Sequence, residues 1–389
     1  MSSRDSSPSD SESENESKNE SKYTPANDLV VTKHNMAAAV VNAVLQEIFK
    51  KCLPGQSVLE LCEFGDKQLT EKTGQLFKKD KEMKKGIAFP TCISVNNCIC
   101  HYSPLRSEKD VHLSAGDVVK VDLGAHVDGY IASAAHTIVI DEVEDQNKKK
   151  ITGRKADVIL AAHNALETAI RMLKPGQYKN NEITDVIQKI AENGEKQIIQ
   201  NPGEKQKQDF EKCEFEQYEV YAIDILMSTG EDYPDRKIVS IPLKMKASRV
   251  FFSDVDKRFG SLPFTLRIFD DEVKTKMGVV ECERHNLMKP FPVLYEKNDE
   301  IVAQMKATVL IMPSGILRIT TPPNDPTTLY ESEHKIQDEK ILQITQSSLK
   351  QAKKKNKKSP INNIDESKKV VDKRPQEKVK PGKLGERQA

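Results

Sequence analysis

The sequence predicts an α+β domain set between two low-complexity tails, and three observations carry that expectation. Two apolar runs, 118–121 and 130–140, flank the polar turn Ala125-His126-Val127-Asp128-Gly129 and read as a β-hairpin. Other segments repeat apolar residues at helical spacing, and two of these stop at Leu53-Pro54-Gly55 and Lys174-Pro175-Gly176. The apolar content, 37% of 389 residues, is low for a globular chain because the deficit is concentrated at the two ends.

Residues 1–28 are rich in Ser, Asp, Glu and Asn and are expected to be a disordered acidic head, with Ser11-Glu12-Ser13-Glu14 spaced for an acidophilic kinase. The stretch from Lys33 to Cys52, with Met36, Val40, Val44 and Ile48 on one face, predicts the first helix. A second follows from Val58 to Leu76, interrupted by Gly65. The loop KKDKEMKK at 78–85 reads either as a contact for an anionic partner or as a solvated turn, and residues 86–97 then enter strand and turn. Ile159, Ala162, Leu166, Ala169 and Leu173 mark a further helix, and Val220 to Leu226 and Ile301 to Met312 are strands. Between them, Lys237 to Arg267 is basic and interleaved with Phe251, Phe252 and Phe259, and Val273 to Leu287 reads as a helix. The folded domain is expected over 29–335 and a basic disordered tail over 336–389.

A net charge of +1 conceals this polarity of acidic head and basic tail. No apolar run approaches the roughly 18–20 residues that cross a bilayer, and the N-terminus lacks the basic-then-apolar order of a signal peptide, so a soluble intracellular protein is expected. Seven cysteines without C-x-x-C pairs point to reduced thiols. Cys98-Ile99-Cys100 has the alternation of a strand, and buried core thiols are preferred over a soft-metal site.

Asp122 stands in the first strand of the hairpin, where a carboxylate must be paired, ligate a metal or face solvent. V-K-V-D-L-G at 119–124 followed by G-Y-I-A-S-A-A-H-T at 129–137 resembles the active-site hairpin of the methionine aminopeptidases, peptidases of the M24 family. The resemblance extends to F-P-T-C-I-S-V-N at 89–96 with His101 behind it, to Y-A-I-D at 221–224, and to A-Q-M-K-A-T at 303–308. It implies a pita-bread fold with two pseudo-duplicated halves, the Pro-Gly stops marking equivalent points, and a type II helical insert at about 245–295.

Carried over residue by residue, the resemblance implies a dinuclear metal site much altered here. Asp122 is kept, the second metal Asp is Ser133, the metal Glu of the Y-A-I-E strand is shortened to Asp224, and the bridging Glu is Lys306. The strand that carries the family's histidine ligand has no counterpart here, since Ile190-Ala191-Glu192-Asn193 runs straight into the segment at 194–202, as in a domain that has lost a strand-sized piece or in a splice or gene-model variant. Hard divalent ions need converging oxygen and imidazole donors, and only Asp122 and Asp224 still offer them. No metal or cofactor is expected. The Lys306 ammonium is expected to pair with both carboxylates, and His101, at the family's catalytic histidine, becomes a relic lining a pocket.

The segments at 121–132, 192–202, 243–267, 277–297 and 303–315 match a proliferation-associated, non-enzymatic branch of the family most closely. That resemblance implies a catalytically inactive protein that binds RNA and ribosomes, acts in ribosome biogenesis, translation and growth control, and moves between nucleolus, nucleus and cytoplasm, as a monomer. DNA is a further candidate ligand, and no membrane partner is expected. From residue 340 on, 15 Lys and Arg face 5 Asp and Glu, densest at Lys353, Lys354, Lys355, Lys357 and Lys358, which suits phosphate contact or nuclear import. Lys244, Lys246, Arg249, Lys257 and Arg258 beside phenylalanines suit an rRNA groove, with a core strand bearing solvated lysines as the competing reading. The branch's L-x-x-L-L motif is Lys340-Ile341-Leu342-Gln343-Ile344 here, so receptor-type partners are not carried over. A divergent metal-dependent aminopeptidase is the alternative function, and a peptide-binding module around His101 a third.

Overall fold

The computed structural model describes residues 22–141, 149–192, 197–198, 212–230, 235–236 and 246–350. Most of the expected acidic head and all of the tail beyond residue 350 lie outside the described residues, and with them Lys353, Lys354, Lys355, Lys357 and Lys358.

The fold starts with helices α1 (Asp28–Lys51) and α2 (Val58–Gly74). The Asn27 side chain accepts from the Leu29 amide and that of Ser57 from Glu60, each satisfying a donor that a helix start leaves open. Between the helices Gly55 takes φ +85, a left-handed conformation that glycine adopts without strain. Gly65, expected to interrupt α2, lies inside a continuous helix; a Cβ there would stand 2.4 Å from the Thr91 hydroxyl, so the missing side chain lets a strand press close.

The strands β1 (Lys85–Val95), β2 (Cys98–Cys100), β3 (Val118–Val127) and β4 (Tyr130–Val139) follow. The β3–β4 turn is tighter than the sequence suggests. Only Asp128 and Gly129 lie outside the strands, with φ +55 and +81, the double left-handed geometry that matches the twist of a two-residue hairpin. The pattern then repeats, with α3 (Arg154–Met172), α4 (Asn180–Glu192), β5 (Gln197–Ile198) and β6 (Val220–Ser228). Gln197-Ile198, from the segment that follows the expected gap, pairs with Ser228 and Met227 as the edge of the sheet. Short β7 (Asp235–Arg236) precedes an insert of α5 (Lys246–Phe259) and α6 (Glu272–Arg284); β8 (Leu294–Tyr295), β9 (Val302–Met312), β10 (Gly315–Arg318), α7 (Pro326–Leu329) and α8 (Glu339–Gln346) complete the chain.

The main sheet runs β1-β3-β4-β9-β6-β5, with β10 added to β9, and a small sheet runs β2-β8-β7. The halves meet at β4 and β9. One apolar core packs α1 and α2 against β1, β3 and β4, centred on Val41, Ile48, Leu61, Ile93 and Leu123. A second packs α3 and α4 against β6 and β9, around Ile159, Ile170, Met227 and Val309. Each helix pair is joined across a Pro-Gly turn, Gly176 matching Gly55 with φ +70, so the duplication is visible in both sheet order and punctuation.

The insert has a core of its own, in which Phe251, Val255 and Cys282 are buried among Phe252, Phe259, Phe264 and Phe269. Arg267 ties it to the body. Its guanidinium is buried and bonds Asp66 at 2.7 Å, the Ser103 hydroxyl at 2.8 Å and the Pro104 carbonyl at 2.8 Å. Burial pushes the Asp66 carboxyl above its ordinary value even against the pull of Arg267.

The cysteines are free thiols, all buried except Cys213, and Cys98 and Cys100 sit in the core as expected. The expected domain end at residue 335 falls short. Ile341 on α8 is buried in the second core, Thr345 meets Thr168 at 2.7 Å, and Arg171 bonds the Ser347 carbonyl at 2.9 Å. One apolar side chain per turn is enough to dock this helix on α3, a signal masked in the sequence by the lysines around it. Ile341→Ala should destabilise the fold by about 2–4 kcal/mol in chemical denaturation, as for other buried aliphatic truncations. A loss under about 0.5 kcal/mol, the range of surface substitutions, would show that α8 is not docked.

Candidate functional site

Cross-strand pairing builds one row of side chains across four strands: Asp122 on β3 pairs with Ala135 on β4, Ala135 with Lys306 on β9, and Lys306 with Asp224 on β6. Paired residues in an antiparallel sheet share a face, so both carboxylates converge on the ammonium. Lys306 Nζ stands 2.5 Å from Asp122 Oδ2 and 2.9 Å from Asp224 Oδ2. Two residues earlier on the same face, the Gln304 amide donates to Asp122 Oδ2 at 3.2 Å and to both Asp224 oxygens at 3.0 and 3.1 Å. Thr137 holds Gln304 in place by bonding its backbone N–H and carbonyl, each at 2.8 Å.

The row is graded in exposure: the Asp122 side chain is 2% exposed, Lys306 11% and Asp224 31%, so the cluster is closed at β3 and opens to solvent at β6. Burial opposes the charge on Lys306, yet the two carboxylates outweigh it and hold its pKa above the ordinary ammonium value. Burial raises the Asp122 carboxyl, with Lys306 pulling it back. Asp122 Oδ1 is buried and has no hydrogen-bond partner among the described residues.

Lys306 also lies 5.1 Å over the ring of Phe89, whose edge meets Phe291 at 5.5 Å and His101 at 6.0 Å. His101 takes φ +65, strained for a residue with a side chain, and its Nδ1–H donates to the Pro292 carbonyl at 3.1 Å. Its ring packs on Phe291 at 5.3 Å. This aromatic trio forms one wall of a 740 Å³ cavity whose far side is the insert, including Phe252, Val255, Phe264 and Leu287.

Ser133 lies two residues before Ala135, opposite Gly124. Its amide donates to Thr308 Oγ1 at 2.9 Å and its carbonyl accepts from Thr308 and Thr320. Thus Asp122, Asp224 and Lys306 come together, Ser133 lies one pleat away, and His101 stands across Phe89. Among the described residues no group of three His, Cys, Asp or Glu is placed to hold a metal ion.

Metallopeptidase family M24 matches residues 32–221. Proliferation-associated protein A of Dictyostelium discoideum is 39% identical over 371 residues, covering 87% of this chain and 94% of its own. The chain belongs to the M24 family. An ErbB-3 binding protein 1 of Solanum tuberosum is 41% identical over 323 residues, covering 75% of this chain and 81% of that protein. The solved structure of a thermophilic Arx1 superposes with a TM-score of 0.72 at 28% identity, over 83% of this chain and 99% of that one. The two halves and their helix pairs are the pita-bread fold of this M24 branch, with the insert placed between β7 and β8.

The nucleic-acid positions fare differently. Lys244 lies outside the described residues, and Lys246 and Arg249 lie on the backbone of α5. The segment is a helix, so the competing reading of a core strand is not met. Phe251 and Phe259 pack inward in the insert core and do not flank a groove. Arg258 is held by Asp254 at 3.2 Å and lies 5.0 Å over Phe269, whereas Lys257 is exposed.

Two site residues escaped sequence reading. Gln304 was within reach, since i and i+2 on a strand share a face. Lys120, two residues before Asp122, is fully buried and donates to the Asn96 carbonyl at 2.8 Å and the Val302 carbonyl at 3.1 Å. Nothing in the sequence around Lys120 marks it as enclosed, and only tertiary packing shows it sealed.

Two outcomes follow from these burials. Lys306→Ala should cost about 3–5 kcal/mol of stability by stranding a buried Asp122, and adding Asp122→Asn should recover most of it. An unchanged melting temperature for the single variant would contradict the pairing. Burial lowers the Lys120 pKa to about 7 from an ordinary 10.5. Between those values the unfolded chain holds a proton that the folded chain does not, so stability should rise with pH by up to about 1.4 kcal/mol per unit. Lys120→Met should flatten that rise in pH-dependent denaturation; an equal slope in both proteins would place the charge elsewhere.

Proposed function

We propose that this protein is a catalytically inactive M24 member that binds RNA and ribosomes and acts in ribosome biogenesis, translation and growth control. The carrying observation is the Lys306 ammonium held between Asp122 and Asp224 at 2.5 and 2.9 Å. In the resemblance these two carboxylates are metal ligands and Lys306 stands at the bridging glutamate. A unit charge about 4 Å from a divalent ion is repelled by on the order of 8 kcal/mol at an effective dielectric near 20, comparable to the binding energy of a micromolar site. The residues present therefore do not fit the family's metal pair: one cation is already in place, covalently attached. Ser133 offers no carboxylate, and His101 is bonded to the Pro292 carbonyl.

RNA and ribosome binding rests on the resemblance of the long matched segments, on exposed Lys257 in the insert, and on the basic sequence beyond residue 350. The name of the Dictyostelium relative links that protein to proliferation, which accords with growth control here. A nuclear, nucleolar and cytoplasmic distribution and a monomeric state belong to the same reading, with DNA as a secondary ligand.

Two measurements test it. Elemental analysis of chelator-free protein should find less than one divalent ion per chain, and Met-initiated peptides should stay untrimmed. Bound metal together with trimming would replace this reading by that of a divergent aminopeptidase. In sedimentation with purified ribosomes across a salt series, the full chain should co-pellet at low salt and release steeply as salt rises, as phosphate contacts do. Truncation before Lys353, or Lys244→Glu, Lys246→Glu and Arg249→Glu together, should weaken that binding. No co-pelleting at any salt would overturn the ribosome reading.

A further inference from the structure

The loop between α2 and β1 is a built platform. Phe77 takes φ +43, the Asp80 amide bonds the Phe77 carbonyl at 3.0 Å, and Asp80 Oδ1 accepts from the Glu82 and Met83 amides at 3.2 and 3.1 Å. Leu76, Phe77 and Met83 pack against the first core. Lys85 turns inward and donates to the Leu76 and Phe77 carbonyls. At its far end the Lys84 carbonyl accepts from the Asp128 amide of the β3–β4 turn at 2.6 Å. Anchored at both ends and by Met83 in the middle, the loop presents Lys78, Lys79, Lys81 and Lys84 to solvent.

Elsewhere on the surface, Lys67, Lys72, Lys179 and Lys274 each pair with a carboxylate. Among the described residues none of the loop's four exposed lysines is in an ion pair, and the loop's Asp80 is engaged with backbone amides. Four unpaired ammonium groups within seven residues span at most about 25 Å of extended chain. That density suits a ligand with repeated negative charges at close spacing. Residues 78–84 contain no aromatic side chain on which an unstacked base could lie, so the loop is suited to phosphates and not to splayed bases.

We propose that the 78–84 loop is a phosphate-contacting surface for the backbone of double-helical RNA, separate from the insert. This rests on the RNA-binding reading above and supplies it with a surface on the first half of the domain. Contacts of this kind position a duplex without reading its sequence.

The test is fluorescence anisotropy with the full chain and a synthetic RNA duplex of about 16 base pairs, the length a double-strand reader covers, over a salt series. The variant carries Lys78→Gln, Lys79→Gln, Lys81→Gln and Lys84→Gln, and its melting temperature should match the parent because these side chains are exposed. Its affinity should fall at least about tenfold near 0.1 M salt, and the log–log salt slope should shrink by roughly one for each phosphate left without its ammonium. A Lys246→Gln/Arg249→Gln variant is the comparison. If the loop variant keeps parental affinity and slope while the comparison variant binds more weakly, the loop assignment falls and the RNA reading stands. If the parent binds no RNA, both fall. Tighter binding of a single strand than of the duplex, or equal competition by an acidic polypeptide of the same charge, would overturn the choice of double-helical RNA.

Discussion

A carboxylate sealed in a β-sheet is tolerable only when something positive or hydrogen-bonding meets it, and in this protein that partner is Lys306. Its ammonium belongs to β9 in the second half of the domain, while Asp122 belongs to β3 in the first. The contact that neutralises the buried charge therefore also spans the seam between β4 and β9, beside the Ser133–Thr308 and Thr137–Gln304 hydrogen bonds. Gln304 completes this arrangement from the neighbouring row, bonded to Thr137 across the seam and to Asp122. Strand register is set accordingly. A one-residue slip would turn Lys306 to the helix face and leave both carboxylates without a cation.

The same logic explains how the insert is attached. Arg267 reaches into the body and finds Asp66, Ser103 and Pro104, so a second buried charge pair holds a unit whose own core is small. Gly278 shows how tightly that small core is closed, since a Cβ there would stand 2.6 Å from the Phe251 ring. The 740 Å³ cavity lies between the insert and the wall of Phe89, His101 and Phe291.

Much of this architecture was legible in the chain. The hairpin, the helix pairs with their Pro-Gly stops and the convergence of Asp122, Asp224 and Lys306 followed from periodicity and from matched motifs. What escaped has physical causes. Gly65 reads as a helix breaker because its local propensity is poor, but packing against Thr91 decides its role. Ile341 is hidden among charged neighbours because one buried residue per turn gives no long pattern. Phe251 and Phe259 looked like partners for RNA because sequence shows that aromatics lie near lysines, not which way each points. Lys120 shows the limit most plainly, as nothing near it announces that a lysine will be enclosed on every side.

The separation between Asp122 and Lys306 has a temporal consequence. The two are 184 residues apart in the chain, and at about 5–20 residues per second a ribosome needs roughly 10–40 s to make the second after the first. During that interval Lys306 is not available to Asp122, so a β3–β4 hairpin formed that early would leave its carboxylate to water until β9 arrives. The first half can therefore gather its helices early, but its face toward the seam stays hydrated until synthesis is nearly done. Completion of the fold is thereby timed to the emergence of the last long strand.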